Sequence, residues 1–166
     1  MMRAAMPQTP LQRIPAAITS LTLLGTLALA QADQPLPAGW THDRLAVATY
    51  VILDPQIQGN SALIDPSQQQ GVLKAMRKDS GDALKRHYPQ AVLVTGTPGP
   101  DAIRVTPVLN APAALVPWSK LGASLTFDLP EGARVTMVEN FGLFTLWQHG
   151  AEAANYAFDQ VAQRLP

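Results

Sequence analysis

Residues 123–139, Ala-Ser-Leu-Thr-Phe-Asp-Leu-Pro-Glu-Gly-Ala-Arg-Val-Thr-Met-Val-Glu, decide the fold class. Ala123, Leu125, Phe127 and Leu129 alternate with Ser124, Thr126 and Asp128, and a period of two is that of a half-buried strand. Pro130-Glu131-Gly132 is a turn, and the chain returns as another strand from Arg134 to about Glu139. Upstream, Ile103, Val105, Pro107 and Leu109 alternate with Arg104 and Thr106. Pro107 has no N–H for a ladder, so this strand is expected to fray or lie at an edge from that point.

Working outward, Leu45–Leu53 is apolar on both faces and reads as a central strand covered on both sides. The segment from Asp54-Pro55 through Gly59-Asn60-Ser61 reads as a loop, and Ala91–Thr95 as a second buried strand. Gly96-Thr97-Pro98-Gly99-Pro100 is a turn, without the following helix that a phosphate-cradling loop needs. Phe141–Trp147 is expected to continue the sheet after a bulge near Asn140–Gly142.

Two helices complete the plan. Asp65-Pro66-Ser67-Gln68 opens the first, with Asp65 as cap, Gln68 reaching back and Pro66 in the first turn. Its apolar stripe is Val72, Leu73, Met76, Ala83, Leu84 and His87, and Pro89 ends it. The last helix carries Ala153, Ala154, Ala157, Phe158, Val161, Ala162 and Leu165 on one face. The reading is α+β: a two-layer sandwich with a mixed sheet of four to five strands and two helices, in the order β-α-β-β-β-(β)-α.

Ahead of this domain, residues 1–32 read as a secretory signal peptide. Arg3 and Arg13 precede an apolar stretch, Leu21–Ala30, that closes on Ala30-Gln31-Ala32 before the first acid, Asp33. Residues 33–44 read as an extended, loosely held lead-in, and 45–166 as a single domain. The expected location is the periplasm or the extracellular space, with peripheral association to the envelope.

Composition narrows the partners. Without the leader, ten Lys and Arg stand against twelve Asp and Glu, so there is no global field to collect nucleic acid. The chain has no cysteine, so neither a thiol nucleophile nor an acylated cysteine is expected. His42, His87 and His149 are scattered without metal-ligand spacing, and His87 suits the C-terminus of the first helix. No Gly-x-Ser-x-Gly elbow occurs, and Ser119-Lys120 is adjacent rather than helically spaced. No catalytic residue, cofactor or metal ligand is assigned on these grounds.

Two features remain as candidates for binding a partner. The first helix has a basic side with Lys74, Lys78 and Lys85, and Lys78–Asp82 and Asp82–Arg86 are spaced for ion pairs. The loop 110–120 is the most apolar of the mature chain, with Leu115 and Val116 between Pro112 and Pro117 and Trp118 directly after. It is expected either to close as a lid over the sheet edge or to offer these side chains to a protein or lipid partner.

The order of elements, with Phe144-Thr145-Leu146-Trp147 leading into an alanine-rich terminal helix, resembles small bacterial cell-envelope proteins and lipoproteins of uncharacterised domain families. Their α/β domains are similar to those of curli-secretion-type lipoproteins and of the Tol system's periplasmic protein. Asp101-Ala102-Ile103-Arg104-Val105-Thr106 is similar to the strand that carries their alternating core. This chain departs from many of them in lacking a lipobox cysteine. The α+β core, the export signal and the absence of an assembled catalytic set lead to the expectation of a non-enzymatic accessory or scaffold role, binding another envelope component. The alternatives are a small hydrolase, in which His42 or His149 meets a serine or carboxylate, and a carrier with an enclosed pocket between sheet and helices.

Overall fold

The strand–turn–strand read at 123–139 is the backbone of the sheet. β5 (Lys120–Asp128) and β6 (Arg134–Gly142) pair antiparallel, with Thr126 opposite Thr136, around a turn in which Gly132 takes a φ of 88°. The computed structural model describes residues 35–116 and 118–166, so the signal-peptide reading lies outside the described residues. β5 also pairs antiparallel with β4 (Ile103–Ala111). On the far side of β4 lie β1 (Thr49–Ile52) and β2 (Gln56–Gly59), both parallel to it, and β3 (Val92–Val94) lies parallel to β1 at the edge. The order is β3-β1-β4-β5-β6, with β2 beside the second half of β4.

The fold is therefore α+β with a mixed sheet. β2 is a strand that the sequence reading left as loop, because Gln-Ile-Gln-Gly offers only one apolar side chain to the pattern. Pro107 does not fray β4, which runs on to Ala111 with partners on both sides. Val105 O accepts from Leu53 N–H at 2.8 Å, so residues of the same parity aim their amides toward β1 and β2. Pro107 falls where the partner changes from Ile52, opposite Val105, to Gln56, opposite Val108. The missing donor coincides with a gap in the ladder.

Three other expectations change. Leu45 belongs to a single helical turn, α1 (His42–Ala46), rather than to the first strand. Tyr50 Oη donates to the Leu45 carbonyl at 2.7 Å, beside the Ala48 N–H that reaches the same oxygen at 3.3 Å. The lead-in is also not loose: Trp40 is buried against Phe127, and Arg44 makes two 2.7 Å bonds to Glu131 in the β5–β6 turn. β3 is an edge strand with Val92 and Leu93 exposed, not a buried one.

The helical layer is α2 (Pro66–His87) and α4 (Ala153–Ala162), packed on each other and on one face of the sheet. Asp65 caps α2 as expected, accepting from Ser67 N–H at 2.8 Å and from the Ser67 hydroxyl at 2.5 Å. Those bonds hold the Asp65 carboxyl below the usual carboxylate range. Phe141 remains in β6, but Leu143–His149 forms a helix, α3, where a strand was expected. Gly142 starts it and Gly150, at φ 50°, ends it. The aromatic and branched composition favours a strand, but 143–147 has a helical spacing: Leu143 and Leu146 face inward, Phe144 and Trp147 outward.

Candidate functional site

β4, β5 and β6 all end their ladders at one end of the sheet, where Ala111 pairs with Gly59 and Lys120 with Gly142. Between the sheet and the two long helices at that end, a cavity of about 580 Å³ opens to solvent. Its floor is Leu109, Leu121 and Ala123 of the sheet. One wall is the first part of α2, from Gln68 and Gly71 to Met76, and the other is Ala153, Ala154, Ala157 and Phe158 of α4. Leu143 and Leu146 of α3 close the remaining side.

Small residues make the space. Gly71 and Ala75 on α2 face the alanines of α4, and a Cβ at Gly71 would meet nothing within 4 Å. Further along the same helices the larger side chains of Met76, Leu84, Phe158 and Val161 are buried in the core. Gln68 carries the only polar side chain in the described lining. The volume lies within the ~300–1,000 Å³ usual for small-molecule sites.

Around this end stand four large apolar side chains in solvent. Trp118 is 80% exposed, Trp147 77%, Phe144 65% and Leu115 57%. The loop expected to choose between lid and docking is thus not a lid: Leu115 and Trp118 project outward and Val116 is half-buried. Ser119 shapes it, its N–H donating to Val116 O at 2.8 Å and its hydroxyl to Ala114 O at 2.7 Å. Asn60 Nδ2 ties it to the end of β2 through Ala113 O at 3.0 Å. Phe144 and Trp147 lie with ring centres 6.0 Å apart on the outer side of α3. Loop composition singles out Leu115, Val116 and Trp118 in the sequence, whereas Phe144 and Trp147 are hidden there by a strand-like composition.

The basic side of α2 is largely consumed internally. Lys78 Nζ is 2.8 Å from Asp82 and 3.4 Å from Asp79. Lys85 Nζ donates to the carbonyls of Pro89 and Ala91 at 2.7 and 2.6 Å, holding the exit of the helix. Arg86 does not pair with Asp82 but reaches α4, bonding Asp159 and Asn155. Arg77 pairs with Asp54. Lys74 makes no ion pair among the described residues and lies by a shallow depression with Asp54 and Arg77.

The histidines are less scattered in space than in sequence. His42 and His87 pack edge-on against Tyr88, with ring centres at 5.7 and 4.5 Å. Burial, and then the neighbouring His42, lower the His87 pKa, while the Pro166 backbone opposes the shift. The positive charge that suits a helix C-terminus is therefore disfavoured there. Burial pushes the Tyr88 hydroxyl up to about 12, and it donates to Pro166 O at 2.8 Å. His42 is 3.6 Å from Asp43, both exposed, and His149 stacks on Tyr156 at 3.8 Å. Ser67, Ser80 and Ser119 bond Asp65, Arg77 O and Ala114 O, and no described histidine is hydrogen-bonded to a serine. Among the described residues no group of three or more His, Asp or Glu could hold a metal ion, and no helix is long and apolar enough to cross a membrane.

No family model and no curated protein matches the chain. Among solved structures it is similar to a crystal structure of an uncharacterized protein, at 11% identity and a TM-score of 0.42, covering 70% of this chain and 93% of that one. It is also similar to the PelC dodecamer from Paraburkholderia phytofirmans, at 11% identity and a TM-score of 0.39, covering 70% and 84%. A minor lipoprotein from Acinetobacter baumannii matches at 10% identity and a TM-score of 0.30, covering 71% and 88%.

Proposed function

We propose that the protein is a non-enzymatic binding protein of the cell envelope, and that its working face is the end of the sheet formed by residues 112–119, α3 and the apolar cavity. The observation that carries this reading is the concentration of Leu115, Trp118, Phe144 and Trp147 in solvent at the end of the sheet where the cavity lies. Scattered exposed apolar residues are ordinary on a monomer, but a group on one end marks a contact surface. The leader read in residues 1–32 supports an exported address. Lys78 and Lys85 serve the fold in this reading, and Lys74 is the remaining candidate contact of α2.

The test is a double variant, Trp118→Ala with Trp147→Ala, expressed in a bacterial envelope beside the parent. Exposed side chains contribute little to the core, so melting should shift by no more than a degree or two. Association with the envelope fraction should be lost. Retained association with an unchanged melting temperature would dispose of this face as the binding surface.

A further inference from the structure

We infer that the cavity between α2, α4 and the sheet takes one acyl chain of a membrane lipid, while Trp118, Trp147 and Phe144 sit at the headgroup boundary. The inference rests on the proposed working face and names its partner.

The chemistry of the lining selects the occupant. Gln68 is the only polar side chain among the described lining residues, and most of the wall is helix and sheet whose interior backbone groups are paired within their own elements. A peptide strand or loop placed there would strand its own N–H and C=O groups without partners. A phosphate or sugar would lose its water and find only the Gln68 amide as a side-chain donor in return. An alkyl chain asks for no hydrogen bond, and its burial is favoured by apolar area alone. A space of about 580 Å³, open at one end, admits a chain while leaving its polar head outside.

The rim matches the environment that head would occupy. Trp is enriched at membrane–water boundaries because an apolar ring carries one polar N–H. Trp118 and Trp147 are the most exposed of the large apolar side chains described, and α3 divides its residues between the two tasks. Leu143 and Leu146 line the cavity while Phe144 and Trp147 face out. Residues 112–119 and 143–149 contain no acid, and Lys120 directly follows the loop. An anionic bilayer surface therefore meets no carboxylate repulsion from these segments and one favourable charge.

Two probes separate rim from cavity. The first is sedimentation of the purified full chain with vesicles of phosphatidylethanolamine and phosphatidylglycerol. The second is palmitate, added below its own aggregation threshold, with the melting temperature as readout, since a ligand of the native state alone must raise it. The variant is Gly71→Leu, chosen because its side chain enters open space at the cavity wall and replaces a helix-weakening glycine. It should fold at least as well as the parent. Palmitate should raise the melting temperature of the parent and of the Trp118→Ala, Trp147→Ala protein, but not of Gly71→Leu. Vesicle binding should fall by on the order of tenfold in Gly71→Leu and further in the double variant. Ala154→Leu, which narrows the cavity from α4, should behave as Gly71→Leu does.

No palmitate shift in the parent, or an equal shift in Gly71→Leu and Ala154→Leu, overturns the assignment. So does vesicle binding that these two variants leave intact, which would mean insertion of the aromatic rim alone. If the double variant keeps its envelope association while palmitate still stabilises it, the proposed working face fails and the cavity assignment survives.

Discussion

At the scale of single residues, two buried aromatic neighbourhoods give opposite lessons. Trp40 is buried edge-on to Phe127, yet its Nε1 finds no acceptor among the described residues. An unpaired buried N–H costs about 1–3 kcal/mol, so Trp40→Phe removes that cost while losing some packing. Its melting temperature should stay within a few degrees of the parent. Trp40→Ala, with only the cavity and no such compensation, should lose ~3–5 kcal/mol. Equal losses in the two variants would show that the N–H is satisfied. His87 titrates the other way from the simple helix-end expectation. Its pKa lies below 6.5 when folded, so the folded state disfavours the charged form. Stability from this group is therefore intact above pH 6.5 and declines as pH falls through the folded pKa. Melting curves of the parent should drop on acidification from that point, and His87→Gln should flatten that part of the slope. An unchanged slope would remove His87 as the cause.

At the scale of elements, α4 decides whether the core closes. Phe158, Val161 and Leu165 are buried, and α4 packs on β5, β6 and α2. Phe158→Ala should cost ~3–5 kcal/mol, since the space left by the ring joins the cavity rather than collapsing. With roughly 2–8 °C per kcal/mol, that is a fall of many degrees by calorimetry. A fall of one or two degrees would mean that α4 is not part of the cooperative core. The adjoining α3 shows why its sequence misled: Phe-Thr-Leu-Trp has strand-forming composition, but no strand lies beyond Gly142 for it to extend. Its stabilising contact is Leu143 and Leu146 over the cavity, a contact with helical spacing. At the opposite edge, β3 looked like a buried strand because Val92, Leu93 and Val94 are all apolar. An apolar run and an exposed apolar edge are the same text, and only the strand order separates them.

For the whole molecule, the leader is expected to be removed on export. Mass spectrometry of protein recovered from a secreting cell should show a new N-terminus at Asp33, or at Gln31 if cleavage follows Ala30. An intact Met1 in the membrane fraction would make residues 1–32 an anchor. The local pattern by itself determined the strand–turn–strand of 123–139, the Asp65 cap, the buried stripe of α4 and the apolar character of the loop around Trp118. Each is written in neighbours a few residues apart, where period and turn chemistry act. Only the tertiary structure decided that Pro107 sits in a central strand, that Arg86 pairs across to Asp159, and that His42 and His87 share Tyr88. The cavity belongs to the same class. Alanines at 153, 154 and 157 read as ordinary core until α2 brings Gly71 and Ala75 opposite them, and a void is the property of two surfaces, neither of which contains it alone.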